Sequence, residues 1–108
     1  MKVLDLVLKT KWYDMIERGE KPFEYRAESP YWIKRLTYLN TDFIPFSYRN
    51  GYEPIPFKEY THVRFHRAYT KTTMLLKLNG MDYGFGNSAL GAPDEEVFIL
   101  ELGKRIGN

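Results

Sequence analysis

Residues 19–26 read Gly19-Glu20-Lys21-Pro22-Phe23-Glu24-Tyr25-Arg26. Gly19 stands where a helix ending favours a left-handed residue. Beyond Pro22 the residues alternate, so on a strand Phe23 and Tyr25 point to one face while Glu24 and Arg26 point to the other. Phe23 and Tyr25 are therefore expected to pack. Glu24 and Arg26 then face a shared polar space, and Lys21, at the strand entrance, is free to lean into it. A carboxylate flanked by an ammonium and a guanidinium is a compact array of donors and acceptors. It can read a base edge, position a phosphate, or tune one member for acid–base work. The same residues also make a structural ion pair, because same-face Glu and Arg on a strand form salt bridges routinely. The stretch alone leaves both open.

Outward from this segment, Val3 to Lys9 reads as a strand, with Leu4, Leu6 and Leu8 alternating against Asp5, Val7 and Lys9. Thr10 is placed to cap a short helix over Lys11–Arg18, whose Trp12, Met15 and Ile16 fall at i, i+3 and i+4. On the other side, Phe23 to Arg26 forms a second strand. Ser29-Pro30 opens a second helix, with Ser as N-cap and Pro at its first position. That helix carries Tyr31, Trp32, Ile33 and Leu36 around Lys34 and Arg35. From residue 40 the pattern is mostly β. Phe43–Tyr48 is expected as a strand before an Asn50-Gly51 turn, and Pro54 and Pro56 mark an edge or loop. His62–Tyr69 reads as a strand, and Thr73–Leu78, Asn79-Gly80 and Met81–Tyr83 read as a hairpin. Gly84, Gly86, Gly91 and Pro93 mark an irregular loop before a last strand, Val97–Leu102. The expected architecture is α+β: one domain over residues 1–108, built as a small, partly closed β-barrel with two short helices.

Composition narrows the function classes. The chain has 108 residues and no Cys, which excludes a disulfide framework, a thiolate nucleophile and a Cys-based zinc site. No apolar run approaches the roughly 20 residues of a membrane span. The N-terminus lacks a basic segment followed by an apolar stretch and cleavage site, so a cytoplasmic protein without a membrane partner is expected. Lys and Arg number 16 against 14 Asp and Glu, a mildly basic net +2. The distribution is uneven: residues 1–77 hold 14 of the basic and 9 of the acidic residues. An anionic partner would meet that part of the chain. Aromatics reach 17%, many beside Lys or Arg. This suits base stacking with phosphate contact, and equally a small β-rich core with amphipathic rims.

The segment 19–26 matches the Gly-x-Lys-x-x-Glu-x-Arg motif of the ASCH domains, a branch of the PUA-like superfamily, at all four fixed positions. The surroundings resemble the family too. Pro30-Tyr31-Trp32 followed by Arg35 is similar to the helix many ASCH proteins carry after the motif. Phe46 through Asn50-Gly51-Tyr52 resembles the strand ending in Asn-Gly-Tyr of a prokaryotic and phage-associated subset. Gly84-x-Gly86, Gly91-Ala92-Pro93 and Glu96-Val97-Phe98-Ile99-Leu100 resemble that subset's C-terminal end. Where the family often has Trp before Gly-Ala-Pro, this chain has Leu90.

The resemblance implies a PUA-like barrel and RNA or modified-nucleotide binding in a cleft lined by the motif. The implied ligand-binding residues are Gly19, Lys21, Glu24 and Arg26; Lys9, Lys34, Arg35 and Arg64 are candidate phosphate contacts around them. No cofactor or metal is expected, and a monomer is favoured. The alternative is a small hydrolase acting on RNA or modified nucleosides, a ribonuclease or an amidohydrolase. In one amide-hydrolysing branch of the family a Thr stands where Glu24 stands and acts as nucleophile, activated by the Lys at the position of Lys21. A carboxylate is a poor nucleophile toward an amide, so that mechanism does not carry over. For RNA cleavage, Lys21, Glu24 and Arg26 supply the residue types of a base, an acid and a cation. A third possibility is an interaction protein whose cleft meets another protein. For Glu24→Gln the expected outcome is lost binding with only a modest loss of stability.

Two further features each admit a structural and a functional reading. His62 and His66 at i, i+4 would pair around a metal on a helix, but on a strand they lie roughly 13 Å apart. With Arg64 they form either a phosphate-contact ladder or a solvated strand face. Trp12 and Trp32 are core residues by their helical spacing, or stacking platforms beside the motif.

Overall fold

The computed structural model describes all residues, Met1–Asn108. Strand β1 (Val3–Leu8) buries Leu4, Leu6 and Leu8 and turns Asp5 and Val7 outward. Helix α1 (Thr10–Glu17) follows and buries Tyr13 and Ile16. Its N-cap position is Lys9 and no side chain caps it, so Thr10 is the first helical residue rather than the cap. The helix stops as read from the sequence: Gly19 takes φ +77°, and the Glu20 N–H reaches back to the Met15 carbonyl at 2.8 Å. Strand β2 (Phe23–Ala27) carries the motif. In helix α2 (Pro30–Leu36), Ser29 Oγ accepts from the Trp32 N–H at 3.3 Å and Pro30 occupies the first turn. The chain continues through α3 (Phe46–Arg49), β3 (His62–Arg67), β4 (Thr73–Phe85), a 3-10 turn over Ser88–Leu90, and β5 (Glu96–Gly107).

The five strands form one sheet in the order β1-β3-β4-β5-β2. β1 runs parallel to β3, with Val3 opposite His62 and Leu8 opposite Arg67. The other pairings are antiparallel. A parallel pair needs a long crossover; here it contains α1, β2, α2 and α3. The sheet curls into a half-barrel around a core that includes Leu6, Ile33, Phe65, Met74 and Phe98. The two edge strands, β1 and β2, do not pair; the Arg26 side chain of β2 reaches the Val7 carbonyl of β1. The bend comes from β4 and β5, 13 and 12 residues long, whose register shifts between Leu75 and Gly80. Bulges of this kind bend a strand and tighten its twist.

Five expectations are corrected. Asn79-Gly80 is not a hairpin turn: β4 runs straight through it. A two-residue hairpin of the expected type needs positive φ at both central residues, and neither has it. Because β5 extends to Gly107 instead of ending at Leu102, it offers a partner along the whole of β4. The Asn79 side chain instead lies in the space opened by Gly103, where a Cβ would meet its Oδ1 at 2.5 Å. Phe43–Tyr48 is not a strand: Pro45 caps the single helical turn α3, and the Arg49 N–H bonds to the Pro45 carbonyl at 2.9 Å. The helix count accordingly rises above two. Finally, β3 ends at Arg67, so Ala68 and Tyr69 lie in a turn. No helix is long and apolar enough to cross a membrane.

Close packing behind β2 makes one glycine irreplaceable. A Cβ on Gly86 would come within 2.5 Å of the Tyr25 ring and 2.6 Å of the Ala92 Cβ, whereas one on Gly84 would meet nothing within 4 Å. In urea denaturation Gly86→Ala is expected to lose about 1–3 kcal/mol by overpacking, with Gly84→Ala much closer to wild type. Equal losses at the two positions would contradict the packing described.

Candidate functional site

The seam between the unpaired edges of β1 and β2 is a cleft of about 470 Å³. β1 and the residue after it contribute Val7, Leu8 and Lys9, and α1 contributes Trp12. The motif contributes Lys21, Glu24, Tyr25 and Arg26; Ala68, Tyr69 and Gly91 complete the lining. Strand alternation explains the convergence. Glu24 and Arg26 share the concave face of β2, while Tyr25 points the other way, its ring reaching both sides of the strand end.

Glu24 is the hub. It is only 5% exposed, with Oε1 3.4 Å from Lys21 Nζ and Oε2 3.0 Å from an Arg26 Nη. Lys21 is 2% exposed. Its ammonium donates to the Leu90 carbonyl and sits 4.6 Å from the Tyr25 ring centre and 5.1 Å from that of Trp12. Such cation–π contacts partly replace lost water. Burial pushes the Lys21 pKa below its ordinary value of 10.5, against the pull of Glu24. An ammonium has three donors, and two of them account for Leu90 and Glu24.

Arg26 crosses the seam. One Nη donates to the Val7 carbonyl of β1 at 3.1 Å, and its guanidinium lies 5.1 Å from the Trp32 ring centre. Its Nε–H is buried without a partner. Burial lowers the Arg26 pKa, opposed by Glu24 and assisted by Arg35; a guanidinium remains charged regardless.

Of the other residues named from sequence, Lys9 lines the cleft, and Gly19 forms the helix stop behind it rather than its wall. Arg35 lies beside the seam: it donates to the Asp5 carbonyl of β1 at 2.5 Å and stacks on Trp32 at 5.4 Å. Lys34 is exposed on α2 and does not line the cleft. Arg64 faces outward with His66. Both are drawn to Asp5, at 3.8 and 2.8 Å, and His62 shares a hydrogen bond with Thr61 at 2.7 Å. The histidine–arginine ladder is thus a row of polar contacts on the convex face, with Asp5 shared between Arg64 and His66. Trp12 forms cleft wall, while Trp32 is held between Arg26 and Arg35.

The sequence reading missed Tyr69, which sits in a turn where only its polar neighbours Thr70 and Lys71 hinted that the strand had ended. Lys11 also went unread, though its ammonium lies 4.6 Å from the Trp12 ring centre. A second charge cluster was unread as well. Arg49 pairs with Glu28 at 2.6 Å and Glu96 at 3.1 Å, and the Tyr83 hydroxyl bonds to both Glu28 and Arg49. Burial and the Glu28 bond raise the Tyr83 pKa. This cluster clamps α3 to the sheet. Behind Tyr25 a second groove, about 540 Å³, has Asp82 and Glu101 as its charged residues and no Lys or Arg. Positive and negative surfaces are therefore segregated to opposite sides of β2.

The burial of Glu24 revises the expectation for Glu24→Gln. Loss of its charge leaves two cations facing each other in a largely dry site, and breaking a buried ion pair costs about 3–5 kcal/mol. Arg26 keeps some exposure, which favours the lower end. A fall in Tm of more than about 10 °C is expected by calorimetry; an unchanged Tm would mean the triad carries no structural load.

No protein-family model, curated protein or solved structure matches this chain.

Proposed function

We propose that the chain is an ASCH-type, PUA-like domain that binds a nucleotide unit, of RNA or of a modified nucleotide, in the seam cleft. The observation that carries this reading is the meeting of Lys21, Glu24 and Arg26 on the floor of one aromatic-walled cavity. Its volume lies within the usual range for small-ligand sites, about 300–1,000 Å³. Trp12 and Tyr69 offer flat apolar surface to a base. Lys21 and Arg26 offer donors to its edge, and Lys9 and Lys11 offer charge to a phosphate. Lining cations outnumber the one lining carboxylate. The groove behind Tyr25, with carboxylates as its only charges, would repel a phosphate backbone.

Hydrolysis is less well supported by the same geometry. A general base needs a lone pair directed at the proton it removes. Both Glu24 oxygens are instead engaged by cations, which suits a carboxylate that holds two donors in place.

The test is a binding isotherm with a short single-stranded RNA at about 50 and 200 mM salt. Affinity should fall as salt rises, and Lys9→Ala should flatten the log–log slope by about 0.7, the value for one lost phosphate contact on a single strand. No binding tighter than about millimolar at the lower salt would overturn the reading.

A further inference from the structure

The turn between β3 and β4 carries an aromatic ring that the fold itself does not use. Tyr69 is 96% exposed, yet it lines the same cleft as Trp12, Lys21 and Arg26. Its backbone is nonetheless firmly anchored. The Ala68 N–H donates to the Leu8 carbonyl at 2.7 Å, carrying the β1–β3 pairing one residue past the end of β3, and the Arg67 N–H donates to the Thr72 carbonyl at 2.9 Å. Arg67 also grips Asp14 of α1 through two bonds of 2.9 and 3.1 Å.

Between these anchors Ala68 has φ +49°, and it is the one non-glycine residue with positive φ. An L-residue is strained there because its Cβ crowds the following carbonyl oxygen. Strain of this sort persists only where the surroundings over-determine it, and it is concentrated at ligand sites. Here a strained, well-held turn presents a ring at the cleft where it buries nothing in the unliganded fold.

We propose that Tyr69 is a stacking platform for an unpaired base, so that the unit taken into the seam is a nucleotide at a strand end, loop or bulge and not one within a duplex. This rests on the reading of the cleft as a nucleotide site. A base inside a duplex has both faces stacked and its pairing edge occupied. Only an unpaired base can give a face to Tyr69 while its edge reaches the donors of Lys21 and Arg26. Stacking uses the ring and not the hydroxyl, so phenylalanine should serve in its place. Because the side chain touches almost nothing in the fold, its removal should leave stability unchanged.

The experiment titrates wild type, Tyr69→Phe and Tyr69→Ala with a short single-stranded oligoribonucleotide carrying one 2-aminopurine, and with the same strand in a duplex. Melting temperatures are recorded in parallel. Tyr69→Ala is expected to weaken single-strand binding about 10-fold, as loss of one base–aromatic stack implies, while Tyr69→Phe stays close to wild type and all three melt together. Wild-type preference for the single strand is expected over the duplex. Equal single-strand affinity for wild type and Tyr69→Ala would overturn the role of Tyr69 and leave the cleft reading standing, and so would tighter wild-type binding to the duplex. Absence of wild-type binding to either RNA would remove the cleft reading itself, and this inference with it.

Discussion

A guanidinium stands where a strand pairing would otherwise close the barrel. The edge strands β1 and β2 face each other across a cleft without pairing, and Arg26 spans the gap to the Val7 carbonyl. Arg35 does the same for the Asp5 carbonyl, two residues earlier on β1, and both guanidinium groups lie against the Trp32 ring, at 5.1 and 5.4 Å from its centre. Exposed strand edges are a liability because their free carbonyls and amides invite another chain. Two arginines on the edge carbonyls of β1 blunt that edge without filling the seam. The opening left over is the cleft.

The remaining charges follow from that bridge. A buried guanidinium needs an anion, and Glu24, two residues earlier on the same face of β2, provides it. Glu24 has a second oxygen, and the Lys21 ammonium takes it while anchoring the 3-10 turn through Leu90. The motif thus ties three parts of the chain together: the helix exit at Lys21, strand β2, and the segment before β5. The same groups would meet a ligand, which links binding to closure of the seam. A ligand that engages the spare donors of Lys21 and Arg26 would also stabilise the fold by mass action.

Much of this was legible locally. The alternation of Leu4, Leu6 and Leu8, the stop at Gly19, the Ser29-Pro30 start and the two faces of β2 all depend on near neighbours in sequence. What failed depended on distant partners. Asn79-Gly80 has turn chemistry, but a turn forms only if its flanks pair with each other, and β5 claims both flanks instead. Phe43–Tyr48 looks extended, but no strand position is open to it, and Arg49 is drawn to Glu28 and Glu96 across the fold. The candidate site divides the same way. Lys21, Glu24 and Arg26 were placed together by spacing alone. Whether Lys34, Arg35 and Arg64 faced the cleft depended on which edge of the sheet each element lay against, and none of the three lines it. The Lys21 ammonium donates to the carbonyl of Leu90, 69 residues away, and no local pattern announces that contact.

The central claim is that the open seam is the ligand surface, and amide chemical-shift mapping with single-stranded RNA tests it most directly. The account predicts that the shifts cluster at Val7, Leu8, Lys9, Tyr25, Arg26 and Tyr69, together with the Trp12 indole. The convex-face row around Asp5 and Arg64 and the acidic groove at Asp82 and Glu101 should stay still. Shifts centred on either of those surfaces, with the seam unmoved, would contradict it.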